Sequence, residues 1–599
     1  MRLHALGLIA VMAAWCFTAG VQGQTAASNE KEPVLKVRAH AVVVDVVVTR
    51  ENGEAVTLLR KENFKVTEDG KEQFIDFFEE HFAKTLPPGA IPPMPKLPPS
   101  VYTNVPPVPE SDSVNILLLD SLNTPVQDQS NVHKQIMDYL KTMEPGTRAA
   151  IFLLGSKLRF VQGFTTDASL LSAALNDKKN APEKEIPLRT REDDADDARQ
   201  LDFMREAANG HTTGGMMAIR DADHEVARYQ LSARISMTLE ALNYLARYLG
   251  GVPGRKNLIW FASSFPVTVF PTYGQMATLN DNLHVQASEI KKTADLLTVS
   301  KVAVYPVGAE GMMNDHWLEA NQNLTEAGHG GSLGRNIMGD NTERSNQIMA
   351  MEQLASDTGG KAFFNTNDLH IAIKRAIDDG AHYYTLAYTP TNNKLDGSYR
   401  RIEVKVSATG KYKTAYRHGY NADDLKTADA RPESDPLLPL LKYGLPDVSQ
   451  LLYGVRVTRA AQQPAPNAKR AGMNSALTGP VTRYAIDFLI RWTDVNFALR
   501  PDGIHHGKIQ LALQAYDRGG KAVNWEDGTQ EMNMKPEIWA AIQKSGIPAH
   551  MEIDLPNEDI YLNTGVYDWG TTKAGTLAIP LSPAKAASAQ SVPPTPGEK

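Results

Sequence analysis

The length, composition and charge of the chain exclude several classes of protein. Its 599 residues are too many for one hydrophobic core and predict roughly three to five domains. A hydrophobic fraction of 42% and a charged fraction of 22% are typical of ordinary globular protein. A formal net charge of −7 and a pI near 6.1 argue against a protein that binds nucleic acid or coats anionic membranes.

The N-terminus has the layout of a secretory signal peptide over residues 1–23. Arg2 is followed by the apolar run LGLIAVMAAWCFTAG and then by small and polar residues. The run is short and badly flanked for a transmembrane helix, and an uncleaved anchor is the alternative. Cys16 is the only cysteine and lies inside this segment, so the mature chain has no disulfide, zinc–thiolate site or cysteine nucleophile. We expect a secreted bacterial protein, periplasmic or extracellular, that is not integral to the membrane after cleavage.

Residues 33–82 predict a small antiparallel β module. VVVDVVVT is typical of a strand, and the Asn-Gly of ENGE and the Asp-Gly of EDGK are typical of tight hairpins. Residues 83–113 hold many prolines, which exclude a helix or a central strand. We therefore predict a linker of largely polyproline character over that segment.

From residue 114 the pattern changes to strands that alternate with helices. The predicted strands are VNILLL (114–119), AAIFLL (149–154), NLIWFA (257–262), VAVYPVG (302–308), KAFFN (361–365) and YYTLAY (383–388). Helical spacing separates them, for example over 235–249. The alternation predicts an α/β domain over 114–390 with a doubly wound, mostly parallel sheet. Residues 177–221 are predicted to form an acidic insertion and residues 309–344 a long loop.

Four segments follow this domain: short strands over 391–425, a polar connector over 426–480, a β-sandwich over 481–582 and a disordered tail over 583–599. Residues 33–82 and 383–421 are incomplete β units that bracket one sheet domain. We hypothesise that the two units pack together as one sandwich, with the sheet domain inserted between its halves.

Four phrases, in this order along the chain, resemble one family. They are VVVDVVVTRENGEAVTLLRKENFKVTEDGKEQFIDFF, LLLDSLNTP, PGRKNLIWFASSFP and YYTLAYTPTNNKLDGSYRRIEVKV. Together with a buried strand that ends in Asp, they resemble the exported von Willebrand factor type A-related proteins of acidobacteria. The resemblance covers residues 33–421, and the C-terminal sandwich is similar to the region after the type A domain in longer members. It implies a type A, Rossmann-like fold that binds protein ligands, often through a divalent cation at the strand tips.

The resemblance implies that the first metal-binding loop of a type A site corresponds to residues 120–124. Asp120 and Thr124 match its outer positions, but Leu122 in the middle carries no oxygen. Ser121 and Asn123 carry oxygens, yet neighbouring side chains of an extended chain point to opposite sides. We expect Asp120 to cap a helix or to accept hydrogen bonds from backbone amides at the strand–helix turn, assisted by Thr124. The alternative is a weak or altered Mg²⁺ site at these two residues.

The other two loops implied by the resemblance supply fewer ligands still. The threonine of the second loop falls in the predicted insertion, where Thr212 and Thr213 are the candidates. Ser263 or Ser264 stands where an Asp is implied after the central strand. Loss of a carboxylate weakens a site for a hard cation, so we predict no cofactor. The predicted ligand-contact residues are Ser121, Asn123, Ser263 and Ser264.

These features favour a secreted protein-interaction or adhesion module that is not an enzyme and whose partner is an unidentified protein. One alternative is an envelope-associated, metal-assisted hydrolase that uses residues 177–221 or 309–344 as the rim of an active site. Another is a structural scaffold with no ligand at the strand tips. An open strand-tip surface would favour binding, and a deep pocket with converging acids and histidines would favour catalysis.

Overall fold

The computed structural model describes residues 41–82, 97–106, 113–181, 214–263, 289, 292–308, 348–349, 351–364, 369–394, 396, 398–408, 410–422, 435–465 and 468–582. The predicted signal peptide, most of the predicted insertion, the predicted loop over 309–344 and the predicted tail lie outside these residues. Within the described ranges, no helix combines the length and the apolar character needed to cross a membrane.

The regular elements are numbered in chain order. The strands are β1 Val42–Arg50, β2 Phe64–Glu68, β3 Lys71–Gln73, β4 Ile75–Phe82, β5 Val101–Thr103, β6 Ser113–Asp120, β7 Ala149–Leu154, β8 Leu158–Thr165, β9 Arg255–Ala262, β10 Val302–Gly308, β11 His382–Tyr388, β12 Tyr399–Val406, β13 Tyr412–Ala415, β14 Gly419–Asn421, β15 Tyr453–Arg459, β16 Val481–Ile490, β17 Ala498–Leu499, β18 His505–Tyr516, β19 Ala522–Met534, β20 Ile547–Pro556, β21 Ile560–Asp568 and β22 Ala574–Leu581. The α-helices are α1 Val126–Lys141, α2 Ala168–Asn176, α3 Gly214–Gly250, α4 Leu369–Ala381 and α5 Pro536–Ser545, and residues 292–299 and 351–358 are also helical.

The N-terminal module is built from strands that precede and follow the sheet domain. Its two four-stranded sheets have the orders β13-β1-β11-β4 and β14-β12-β2-β3. β1 pairs with β11 so that Val44 lies opposite Leu386, and β12 pairs with β2. Alternate residues of β1 enter the apolar cluster of this module, whereas Asp45 lies on the other face of the strand. The sheet domain is therefore inserted between the two halves of this module.

The inserted domain contains a five-stranded mixed sheet in the order β10-β9-β6-β7-β8. Four strands run parallel, and β8 is an antiparallel edge strand. The aliphatic runs predicted as strands are buried on both faces, because α1 and α4 cover one face and α3 covers the other. The carboxyl ends of the parallel strands share one edge of the sheet, with Asp120 at the end of β6.

The C-terminal module consists of two sheets around an apolar cluster. Their orders are β20-β16-β15-β5 and β17-β18-β21-β22, with β19 paired to β18. Helix α3 contacts this module as well as the sheet domain, because one apolar cluster contains Leu242 of α3 together with Leu437 and Tyr567. Arg247 Nη1 also donates a hydrogen bond to the backbone oxygen of Thr572 at 2.6 Å. The described residues together have mixed α/β structure, with one mixed sheet and several antiparallel sheets.

Two strands predicted for the parallel sheet differ in the structure. The sequence predicts YYTLAY both for that sheet and, within residues 383–421, for the sandwich; it joins the sandwich, because β11 pairs antiparallel with β1 and β4. KAFFN lies parallel beside β10, but its described residues form one isolated bridge, between Phe363 and Val307. A short apolar run predicts a buried strand, but it does not specify which sheet the strand joins. The domain boundary predicted at residue 390 therefore lies before β11.

Two predicted linkers are also wrong in part. The segment 426–480 contains β15, which lies between β16 and β5 in a sheet of the C-terminal module. The proline-rich segment 83–113 contains β5, which pairs with β15 at the edge of that sheet. An edge strand needs only one row of backbone partners, so a three-residue strand is compatible with nearby prolines.

Candidate functional site

Asp120 ends β6 at the carboxyl edge of the parallel strands. The residue is only 2% exposed. Its Oδ1 accepts a hydrogen bond from the backbone N–H of Asn123 at 2.9 Å. Its Oδ2 accepts from Asn123 Nδ2 at 2.8 Å and from Trp260 Nε1 of β9 at 2.9 Å. Three N–H donors therefore surround this carboxylate and close the turn after β6.

Burial makes Asp120 a weaker acid. Desolvation raises the pKa of its carboxyl group to about 6, although the hydrogen bonds from Asn123 and Trp260 act to lower it. Asn123 Nδ2 is also within hydrogen-bond distance of Thr238 Oγ1, at 3.0 Å, which links the turn to α3. The negative charge of ionised Asp120 is thus stabilised by the dipoles of N–H groups of the protein.

Thr124 and Ser263 meet each other directly at the same edge. Thr124 Oγ1 accepts a hydrogen bond from the backbone N–H of Ser263 at 3.2 Å. Ser263 Oγ donates to Asp128 Oδ2 of α1 at 2.8 Å. Desolvation raises the pKa of Asp128, and the hydrogen bond from Ser263 acts in the opposite direction. Two residues that the resemblance assigns to different metal-binding loops are therefore joined by a protein hydrogen bond.

The rest of the turn is held by backbone contacts. Ser121 Oγ donates to the backbone oxygen of Leu154 at 2.8 Å. Gln129 Nε2 donates to the backbone oxygen of Thr124 at 2.7 Å. Leu122 is buried in the apolar cluster on the α3 face of the sheet. The middle position of the first loop therefore contributes to the core.

The side chains at this edge fit a cation poorly. Asp120, Ser121, Asn123, Thr124, Asp128 and Ser263 are described residues at this edge that carry side-chain oxygens, and Mg²⁺ prefers about six oxygens in octahedral geometry. Both oxygens of Asp120 face N–H groups, whose positive ends compete with a cation for the same lone pairs. No group of three or more His, Cys, Asp or Glu side chains suited to a metal occurs within the described ranges.

A cleft of about 370 Å³ opens beside this turn, between the sheet and helices α1 and α2. Its polar lining residues are Asp120, Ser121, Thr124, Gln129, Ser130, His133 and Asn180. Its remaining walls are mostly apolar: Leu119, Val132, Ile151, Leu153, Val161, Leu175 and Phe261 line it. His133 Nε2 lies 3.4 Å from the backbone oxygen of Leu175. The cleft is thus a mainly apolar space whose polar neighbours largely contact protein atoms.

The structure brings five of the predicted site residues together at this edge. They are Asp120, Ser121, Asn123, Thr124 and Ser263. The candidates Thr212, Thr213 and Ser264 lie outside the described residues. The sequence reasoning missed Trp260, Gln129 and Asp128. Trp260 carried a usable signal, because a tryptophan inside a buried strand needs an acceptor for its indole N–H.

Neither a family model nor a curated protein matches the chain. Among solved structures, the chain is similar to an aerotolerance-related membrane protein from Bacteroides fragilis that carries several mutations to serine. The identity is 13% and the TM-score is 0.21, and the match covers 44% of this chain and 98% of that one. A mutant of the PilB minor pilin from Streptococcus sanguinis has 8% identity, a TM-score of 0.22, and coverage of 45% and 60%. A membrane-spanning protein from Vibrio fischeri has 13% identity, a TM-score of 0.10, and coverage of 44% and 96%. TM-scores this low do not establish a shared fold.

Proposed function

We propose that this chain is an exported, non-enzymatic binding protein. Its five-stranded sheet belongs to a doubly wound domain of the von Willebrand factor type A kind, and a protein ligand inserts an apolar side chain into the cleft beside Asp120. The main observation in support of this proposal is the cleft. It lies at the carboxyl ends of parallel strands, which is where open α/β sheets bind ligands. Its volume is within the range of about 300 to 1,000 Å³ that is common for ligand sites.

The hydrogen bonds at the strand tip support binding without a metal ion. Trp260 and Asn123 supply donors to Asp120, and Ser263 bridges Thr124 and Asp128. In this proposal, these contacts hold the rim of the cleft in one conformation before the ligand arrives. A preformed rim lowers the entropy cost of association.

The same contacts favour a role in binding over a role in catalysis. A general base needs a lone pair directed at the substrate. Asp120 instead accepts three protein hydrogen bonds, and Ser121 Oγ donates to a backbone oxygen. These groups therefore act as positioned structural contacts in the proposed mechanism, and affinity comes from burial of the apolar side chain of the ligand.

The test uses a library of random displayed peptides and the purified full chain. Peptides selected on the wild type are expected to carry an aromatic or large aliphatic residue. Ala181 is an exposed residue of the cleft wall, so Ala181→Trp should fill the space while leaving the core intact. We expect this variant to bind the selected peptides at least about tenfold more weakly, as loss of an anchor contact does. Binding should be the same with Mg²⁺ or with EDTA.

The matched control is Ala540→Trp, at an exposed position of α5 in the C-terminal module. This variant should bind the selected peptides like the wild type. Failure to select any peptide, or equal binding by Ala181→Trp, would contradict the proposal and favour a scaffold without a ligand at the strand tips. Loss of binding in EDTA, restored by Mg²⁺, would instead support a metal-dependent site.

A further inference from the structure

A second cavity lies at the opposite, amino edge of the parallel strands, where the sheet domain meets the N-terminal module. It is small, about 30 Å³. Arg255 at the start of β9 and Lys301 just before β10 line it from the sheet domain. Asp45 on β1 and Arg417 after β13 line it from the N-terminal module. Three cationic side chains thus share one small cavity with one carboxylate.

Arg255 is buried with an incomplete set of partners. The residue is 3% exposed. Its Nη2 donates to the backbone oxygen of Gly359 at 2.7 Å and lies 3.4 Å from the hydroxyl of Tyr305. Its buried Nε has no hydrogen-bond acceptor among the described residues. A buried guanidinium N–H without an acceptor costs free energy, so an acceptor in the cavity would stabilise this arrangement.

Arg417, in the N-terminal module, also has a backbone acceptor for one guanidinium nitrogen and none for its Nε among the described residues. Its Nη2 donates to the backbone oxygen of Val43 at 2.6 Å. Its Nε is also buried and finds no acceptor in the part of the chain that the structure describes. Each module therefore supplies one arginine that lines the cavity and has a buried donor without an acceptor among the described residues.

The side chains that line the cavity carry a net positive charge. Asp45 Oδ1 already accepts a hydrogen bond from Thr385 Oγ1 at 2.7 Å. Asp45 acts electrostatically on both arginines, while Asp379 acts on Arg255 and Asp295 on Arg417. Neither Asp379 nor Asp295 lines the cavity. Asp45 is thus the only carboxylate among the described lining residues, against three cations.

We propose that this cavity binds a monovalent anion of the size of chloride between Arg255, Arg417 and Lys301. A volume of about 30 Å³ holds one or two particles of the size of water, which suits a halide. Lys301 is exposed, so the cavity has a charged side chain at its solvent side. The bound anion would accept hydrogen bonds from both modules and join the sheet domain to the N-terminal sandwich.

The test compares chloride with gluconate, which is too large for the cavity, at constant ionic strength and with the full chain. We expect the thermal unfolding temperature to rise saturably as chloride replaces gluconate, and the chloride NMR line to broaden on addition of protein. Lys301→Gln removes one charge at an exposed position and should weaken chloride binding about fivefold, as loss of a partly exposed charge does. Lys405→Gln, at an exposed position of β12, should leave chloride binding unchanged.

Three outcomes would overturn the proposal. If chloride and gluconate give the same unfolding temperatures and the NMR line stays narrow, the cavity holds water only. If Lys301→Gln and Lys405→Gln bind chloride equally to the wild type, any bound anion lies elsewhere. If crystals soaked in bromide give an anomalous peak away from Arg255 and Arg417, the assignment of the site is wrong. Urea unfolding in gluconate checks that each variant is folded.

Discussion

Buried charged side chains have different partners at the two edges of the five-stranded sheet. At the carboxyl edge, the buried Asp120 accepts hydrogen bonds from three N–H groups. At the amino edge, Arg255 and Arg417 bring guanidinium groups to one cavity, and the Nε of each has no acceptor among the described residues. The buried carboxylate at the carboxyl edge thus has its donors within the protein, whereas two arginines at the amino edge keep donors for the proposed anion.

The difference follows from where the partners come from. Asp120 and Asn123 lie in one turn, and Trp260 is on the adjacent parallel strand, so a single domain provides every contact. The arginines of the amino edge come from two modules, and the backbone oxygens that they contact leave the Nε of each without an acceptor among the described residues. A buried polar group without a partner costs free energy, so a bound anion would stabilise this junction.

Lys256→Met should give the largest effect, because it removes a buried cation from the amino edge. Burial lowers the pKa of Lys256 from 10.5 to about 7, and its Nζ donates to the backbone oxygen of Ser300 at 3.2 Å. The folded-state pKa lies below the unfolded value, so wild-type stability rises as pH increases from about 7 to 10.5. At pH 7 the variant should be more stable by roughly 3 to 5 kcal/mol, after allowance for the lost hydrogen bond.

Urea unfolding at pH 7 and near pH 10 measures this effect. The gain should shrink towards zero at the higher pH, because the lysine is then neutral in the folded state and the pH is close to its unfolded pKa of 10.5. Lys405→Met, at an exposed position, is the control and should change stability little at either pH. A gain that does not depend on pH would show that Lys256 keeps its ordinary pKa and that the amino edge carries no excess of buried charge.

Asp120→Asn should change how stability depends on pH. Burial raises the pKa of Asp120 from 3.8 to about 6, so the unfolded chain ionises first. Its contribution to stability is present below the unfolded pKa and is lost as pH rises through the folded pKa. We expect wild-type stability to fall by about 2 kcal/mol through this group between pH 4 and 6.5, and the variant to lack that fall.

Asp554→Asn is the matched control for the sign of this effect. Burial acts to raise the pKa of Asp554, but hydrogen bonds from Arg483 and from the backbone outweigh it, and the pKa is lowered. This carboxylate therefore contributes stability that is lost as pH falls through its folded pKa. Urea unfolding across pH 3 to 7 should give differences of opposite slope for the two variants, and equal slopes would contradict the assignment of Asp120.

Trp260→Phe should cost about 2 kcal/mol of stability, because it removes one hydrogen bond to a buried carboxylate. It should also raise the pKa of Asp120 further. Trp492→Phe, a half-buried residue that packs edge to face with Trp539 in the C-terminal module, is the control and should lose less. Thermal and urea unfolding measure both variants, and an equal loss would show that the indole contributes packing alone.

His550→Gln should give the smallest effect, since solvent already provides partners at the surface. The hydrogen bond to Asp487 at 2.7 Å raises the pKa of His550, and both side chains are about two-fifths exposed. Its stabilisation is full below the unfolded pKa and is lost as pH rises through the folded pKa. We expect a loss of about 0.5 kcal/mol or less at pH 5.5 and none at pH 8.5, by urea unfolding in low salt.

The sequence by itself determined most of the strands and their environment. AAIFLL contains no polar position and VNILLL only Asn115, so these runs are expected to be buried strands with both faces covered, as β6 and β7 are. The position of Asp120 at a strand tip and the absence of an oxygen at Leu122 could also be read directly. These conclusions depend on local patterns, and local patterns survive in any fold that the chain adopts.

The sequence suggested that residues 33–82 and 383–421 combine, but only the tertiary structure decided which strands pair and which side chains meet. YYTLAY is a strand in either sheet, but its pairing with β1 and β4 depends on which tyrosines fill the core of the N-terminal module. Trp260 reaches Asp120 because β9 lies beside β6, and Arg255 meets Arg417 because two modules pack together. Contacts between residues far apart in the chain follow from packing, which no local period of the sequence encodes.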